Sequence, residues 1–299
     1  MPSASGARRG PPHAPRLRRA PVLAAVAVTG IVVGALAGCL PPPPPPPPPT
    51  TTTTTAPLPP GGAVRLLLDA PAPAGGYQTF ANQGTAALTV TVVASDGGVL
   101  GALTGRTGRA GDRAVRFPTH SAAGDAARAV IRIQESGAGD ALDPGTGRLV
   151  IGADVLLDAT SQSSATGSTD NGDNVVQRGL FDDVSQYKIQ VDAGRPSCRI
   201  KGAAGEVLVT STITVARGRW YRLACARDGA VVTLTVTSWS AAGVAQVVTT
   251  RASGPTGDLS PSAPTVPLSV GGKLRADGTP APATDQFNGR IDNVVMRTS

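Results

Sequence analysis

The chain has 299 residues and a formal net charge of +7, and only 3% of its residues are aromatic. Five arginines within the first 38 residues (Arg8, Arg9, Arg16, Arg18, Arg19) supply +5 of that charge, so +2 remains for everything after them. A balance that modest argues against nucleic acid as a partner, which would need a basic patch on the folded part.

The arginines precede an apolar run from about Pro21 to Gly38 that ends in small residues, the layout of a secretory signal. Leu36-Ala37-Gly38-Cys39 closes it and resembles a bacterial lipobox. The resemblance implies cleavage before Cys39, a diacylglyceryl group on its thiol, and an extracytoplasmic protein moored to the outer face of a membrane. Two acyl chains hold firmly at about 0.8 kcal/mol per buried methylene. The alternative is an uncleaved anchor, although a membrane-spanning helix wants about 20 apolar residues and this stretch is shorter and glycine-punctuated. Residues 1–38 are therefore read as signal.

Residues 39–62 form the next segment. Pro41 to Pro49 is unbroken proline, followed by Thr50 to Thr55 and by Ala-Pro-Leu-Pro-Pro up to Pro60. Such a run lacks backbone donors and has φ held near −65°, which dictates extended polyproline II. At about 3.1 Å per residue it reaches about 60 Å, a semi-rigid stalk. A proline-recognition ligand is the rival reading.

From residue 63 to 299 the pattern is all-β. Leu149, Ile151, Ala153, Val155 and Leu157 alternate onto one face, as do Val207, Val209, Ser211, Ile213 and Val215. Val232, Leu234 and Val236 alternate with threonines, and so do Leu88, Val90 and Val92. Gly/Asp turn clusters at 95–98, 143–147, 227–229 and 276–278 separate the runs. Many short strands joined by tight turns predict a two-sheet antiparallel sandwich in one large domain.

Several stretches, in order, resemble concanavalin A-like, laminin G-like jelly-roll domains. Gly111-Asp112-Arg113-Ala114-Val115-Arg116-Phe117 matches an early strand of that family, with Leu66-Leu67-Leu68-Asp69 standing where its tryptophan-containing start would be. Asn174 to Gly179 and Tyr187 to Val191 match a strand pair. Gly218-Arg219-Trp220-Tyr221-Arg222-Leu223 with Arg227-Asp228-Gly229 matches a hairpin, and Phe287 to Met296 matches the closing strand. The resembled topology brings the strands of Cys198 and Cys225 near one another and so implies a disulfide; two buried free thiols are the alternative.

Chemistry is sparse. Beyond the signal the chain has one histidine, His120, and two glutamates, Glu135 and Glu206. His120 alone could serve a serine triad, and no nucleophile-elbow motif accompanies it. Zinc sites draw on several His or Cys ligands, which this composition does not offer. Glycosidases of this fold class use carboxylates about 5–5.5 Å apart for retention, yet the two glutamates are isolated and Asp182-Asp183 is the only adjacent acidic pair. No catalytic set is therefore expected.

Calcium is the one cofactor the sequence suggests. Asp170-Asn171-Gly172-Asp173-Asn174 concentrates oxygen ligands, with Asp182 and Asp183 the next to join them. Asn, Asp and Gly are equally the usual turn formers. For a sugar, the exposed aromatic expected to take part is Trp239, since Trp220 and Phe287 fall in framework motifs. Few lysines (188, 201, 273) stand beside many arginines, a composition suggesting a GC-rich genome. The leading expectation is a surface lipoprotein whose non-catalytic laminin G-like domain binds a glycan or another surface protein through loops at one rim. The rivals are a glycoside hydrolase or lyase of the concanavalin A-like class and a purely structural module.

Overall fold

A computed structural model describes residues 62–68, 81–107, 112–121, 126–137, 139–161, 172–263, 265–275, 277–280 and 285–299. The signal, Cys39, the proline stalk, Asp170 and Asn171 lie outside these residues. Fifteen strands occur among the described residues: β1 (Ala63–Leu68), β2 (Leu88–Ser95), β3 (Gly101–Thr104), β4 (Arg113–Arg116), β5 (Arg128–Glu135), β6 (Leu149–Leu157), β7 (Gly172–Arg178) and β8 (Gln186–Asp192). They continue with β9 (Arg195–Gly202), β10 (Gly205–Thr210), β11 (Trp220–Asp228), β12 (Val231–Trp239), β13 (Ala245–Ser253), β14 (Leu268–Val270) and β15 (Gly289–Thr298).

Every pairing is antiparallel, and two sheets result. One runs β13-β12-β11-β6-β15-β4-β3, with β1 also on β15; the other runs β10-β9-β8-β7-β14-β5-β2. Chain order and sheet order interleave, as a jelly roll requires. The first strand forms where Leu66 to Asp69 was expected and closes on the last, Leu67 opposite Val295.

The core follows from period-2 alternation. Leu149, Ile151, Ala153, Val155 and Leu157 all point inward from β6 and are buried. Tyr187, Ile189 and Val191 of β8 face them from the other sheet, and Val232, Leu234 and Val236 of β12 join the same cluster. The alternation over 207–215 overruns the strand. β10 ends at Thr210, and the Ser211 hydroxyl then accepts the Ile213 N–H in a local turn.

A disulfide fastens the two layers. Cys198 of β9 and Cys225 of β11 form a disulfide with Cα atoms 5.8 Å apart. These strands belong to opposite sheets, so the bond crosses the core instead of linking neighbours within a sheet. Phe117 and Phe287 meet edge to face, centroids 5.8 Å apart. Phe287 is thus core, as its motif suggested, whereas Trp220 is only half-buried.

Candidate functional site

The alternation that sends Tyr187, Ile189 and Val191 inward sends Gln186, Lys188, Gln190 and Asp192 outward. Sheet register extends this polarity sideways. Lys188 pairs with Gln177 on β7 and with Arg199 on β9. Gln177 in turn pairs with Ser269 of β14, and Ser269 with Arg132 of β5. A polar row therefore crosses the outer face of the seven-stranded sheet.

A groove of 510 Å³ runs over this face along β8, from Asp192 at one end to Gln186 at the other. Six residue steps at about 3.3 Å make that about 20 Å, room for an extended oligomer. Residues 273–275 and Asp285 wall one side. A second cavity of 240 Å³ continues from it and shares Gln177, Leu180, Leu274 and Arg275.

The β7–β8 turn closes one end and is held in place from both strands. Gln177 Nε2 and Gln186 Nε2 donate to the Gly179 carbonyl at 2.7 and 3.1 Å. Asp183 accepts the Leu180 N–H at 2.7 Å. Lys201 Nζ donates to the Phe181 carbonyl at 2.8 Å. Phe181 is consequently a fixed aromatic that is 65% exposed at the mouth of the groove. One ring face rests over the Arg199 guanidinium, 4.2 Å from carbon to centroid. Arg199 also pairs with Glu206.

At the centre, Lys188 and Lys273 converge on one oxygen of the buried Asp285, at 3.6 and 3.5 Å. Asp285 has φ of +49°, a strained left-handed backbone for a residue with a side chain. Gln186, only 2% exposed, lines the groove with its Oε1 unpaired. A buried acceptor left unsatisfied costs about 1–3 kcal/mol, so this atom favours a donor that arrives from the groove.

Of the residues expected to gather around calcium, Asp170 and Asn171 lie outside the described residues, and Asp173 stands apart from Asp182 and Asp183. Asp173 lies at the start of β7, buried, accepting the Ser161 hydroxyl at 2.7 Å and the Asn288 N–H at 3.2 Å. Asp182 and Asp183 follow the other end of β7, beyond about 17 Å of extended strand. Asp182 lines the groove and Asp183 the adjoining cavity. Among the described residues, no group of three or more His, Cys, Asp and Glu is arranged to hold a metal ion.

Trp239 sits at the end of β12, on the sheet opposite the groove. The Arg106 guanidinium covers one ring face at 4.2 Å, and Arg219 donates to its carbonyl at 3.2 Å. Arg106 continues to Asp154, which Arg222 and Asn293 also hold. Close by, Asp292 is buried, and its carboxyl is pushed up to about 6 by that burial, with Asp112 and Asp154 adding to the rise. Beside Asp292 lies a small cavity of 20 Å³, lined also by Arg113, Val115 and Ile291.

Sequence reasoning missed Phe181, Gln186, Lys188, Lys273 and Asp285. One signal was present: Gln186-Tyr187-Lys188-Ile189-Gln190-Val191-Asp192 alternates long polar with apolar side chains, which marks a strand with a functional outer face as readily as a solvated one.

The architecture is a two-sheet antiparallel β-sandwich with the interleaved strand order of a jelly roll. The family model for the laminin G domain matches residues 177–298, from within β7 to the end of β15. Among solved structures, the chain is similar to the LG1-3 region of the laminin alpha2 chain, at 12% identity and TM-score 0.37, over 51% of this chain and 27% of that one. It is also similar to mouse laminin alpha1 LG4-5, at 17% identity and TM-score 0.37, over 55% and 40% of the two chains. Domain 4 of an extracellular arabinanase from Geobacillus stearothermophilus, solved with arabinotriose, aligns at 14% identity and TM-score 0.47, over 80% of this chain and 94% of that one. No curated protein matches the chain.

Proposed function

We propose that this protein is a surface lipoprotein, moored through Cys39 and raised on its proline stalk, whose laminin G-like domain binds an extended glycan without cleaving it. The binding site in this reading is the groove on the seven-stranded sheet, not the loop rim or Trp239. The single observation that carries it is Phe181, an aromatic ring fixed and exposed at the mouth of a groove lined with amide and charged side chains. Sugars present apolar C–H faces and hydroxyl edges, and this site offers a ring for the first and an unpaired buried acceptor, Gln186 Oε1, for the second. Non-catalytic binding is preferred because the one carboxylate at the centre of the groove, Asp285, is engaged by two ammonium groups. An electrostatically engaged carboxylate is a poor general acid.

The test is direct. The full chain is screened against oligosaccharides, and hits are measured for the Phe181→Ala variant and for release of new reducing ends. The proposal expects binding that weakens in the variant and no cleavage. Cleavage of any bound glycan overturns the non-catalytic part, and undiminished binding by the variant overturns the placement.

A further inference from the structure

Resting on the glycan-binding reading, we infer that the groove takes a glycan esterified on a sugar hydroxyl. The adjoining cavity receives the substituent, an apolar acyl group about the size of benzoyl.

Sheet register fixes where that cavity lies. Lys188 of β8 stands opposite Gln177 of β7, and Gln177 opposite Ser269 of β14. The groove follows β8, whereas Gln177 and Ser269 line the 240 Å³ cavity. Neighbouring strands are about 4.8 Å apart, so the cavity floor lies about 5–10 Å to the side of the line a glycan would follow. It opens off the flank of the groove, where a group hung from one ring of the chain would point.

Chemistry separates the two spaces. The groove keeps an unpaired buried acceptor, Gln186 Oε1. Around the cavity, polar groups are already engaged by the protein. Gln177 Nε2 donates to the Gly179 carbonyl at 2.7 Å, and its Oε1 accepts from Asn174 Nδ2 at 2.9 Å. Ser269 Oγ donates to the Gln177 carbonyl at 3.1 Å. The Thr265 and Val266 carbonyls accept from Gln134 Nε2 and Arg178 Nε, each at 3.0 Å. Half-buried Asp183 accepts the Leu180 N–H, while Ser262, Thr265 and Arg275 are exposed. Leu180, Val266, Pro267 and Leu274 supply apolar walls. A sugar hydroxyl entering this space would give up water without gaining a comparable partner, which costs free energy. Ring carbons and methyl groups escape that cost.

Volume sets the size of the group. An apolar cavity of about 150 Å³ holds benzene. The 240 Å³ here therefore has room for a benzoyl group and is more than an acetyl group needs.

The experiment uses the full chain and three neutral trisaccharides (xylotriose, cellotriose and maltotriose), each plain and esterified at random with one benzoyl group. The inference expects the best benzoylated pool to bind at least about tenfold more tightly than its plain parent, the scale of burying one aromatic ring. Ala263 lines the cavity and not the groove. Ala263→Phe fills the space and should bring the benzoylated pool down to the affinity of the plain sugar, with thermal unfolding verifying an intact domain. Independently of that variant, methyl benzoate added to the isotope-labelled parent should shift the amides of Leu180, Val266 and Leu274. Equal binding of plain and benzoylated sugars, or methyl benzoate shifts confined to other residues, overturns the inference and leaves the groove reading standing. Binding of none of the six probes overturns both.

Discussion

The guanidinium carbon of Arg199 lies 4.2 Å from the centre of the Phe181 ring, so one face of an otherwise exposed aromatic is backed by a cation that β9 holds in place. An unsupported ring at a turn would lose conformational freedom on binding; this one has lost it in advance, which is what preorganisation means for affinity.

Truncation separates binding from folding at this ring. Phe181→Ala should weaken glycan binding by about 1–2 kcal/mol, the scale of an aromatic hot spot. Because the ring is 65% exposed, unfolding stability should change by under about 1 kcal/mol. Calorimetric titration beside urea unfolding reads both quantities. Loss of both together would make Phe181 a structural residue.

The disulfide makes a second prediction. Cys198 and Cys225 are 27 residues apart and tie opposite sheets through the core. Opening a loop of that length costs about 3–4 kcal/mol in the chain-entropy model. The double variant Cys198→Ala/Cys225→Ala should lower the urea midpoint accordingly while near-ultraviolet circular dichroism stays native. An unchanged midpoint would mean that core packing alone fixes the sheets.

Gly271 is required by sterics. Its φ is +83°, and a Cβ there would come within 1.9 Å of Phe117 Cε1. Its carbonyl meanwhile accepts the Phe287 N–H and Gln286 Nε2, each at 2.9 Å. Gly271→Ala should cost about 2–4 kcal/mol, since overpacking and a left-handed backbone add. A loss under 1 kcal/mol on thermal unfolding would show that Phe117 can move aside cheaply.

Asp292 sets a pH dependence. Burial raises its carboxyl to about 6, while its backbone hydrogen bonds from Asn293 and Arg106 oppose the rise. In the unfolded chain the ordinary value is about 3.9. Below about pH 4 both forms hold the proton. Between about 4 and 6 the folded form holds it more tightly, so stability falls as pH rises, by on the order of 1–3 kcal/mol by neutral pH. Asp292→Asn keeps an acceptor and cannot ionise. Compared with the parent, it should gain that amount of stability between pH 4 and pH 7. A difference that stays flat with pH would contradict the assignment.

Much of the fold was legible because alternation is strict wherever a sheet has one dry face. Leu149 to Leu157, Val232 to Val236 and the closing segment after Phe287 are strands where the pattern placed them. The overrun past Thr210 has a local cause, since Ser211 alternates correctly yet uses its hydroxyl to turn the chain. The disulfide pairing was legible; its course between sheets was not, because strand order is a long-range property. The groove was hardest to see. Lys188, Lys273 and Asp285 are 97 residues apart at their extremes and meet only through sheet packing. Asp173 and Asp182 illustrate the reverse, close in sequence and held apart by an extended strand.

The claim that the seven-stranded sheet carries the ligand is tested most directly by mapping where a sugar lands. Backbone amide shifts of the isotope-labelled chain, followed while the tightest-binding trisaccharide is added, should change around Leu180 to Lys188, Arg199 and residues 273–275. Shifts clustered instead around Arg106 and Trp239, on the opposite sheet, would contradict it.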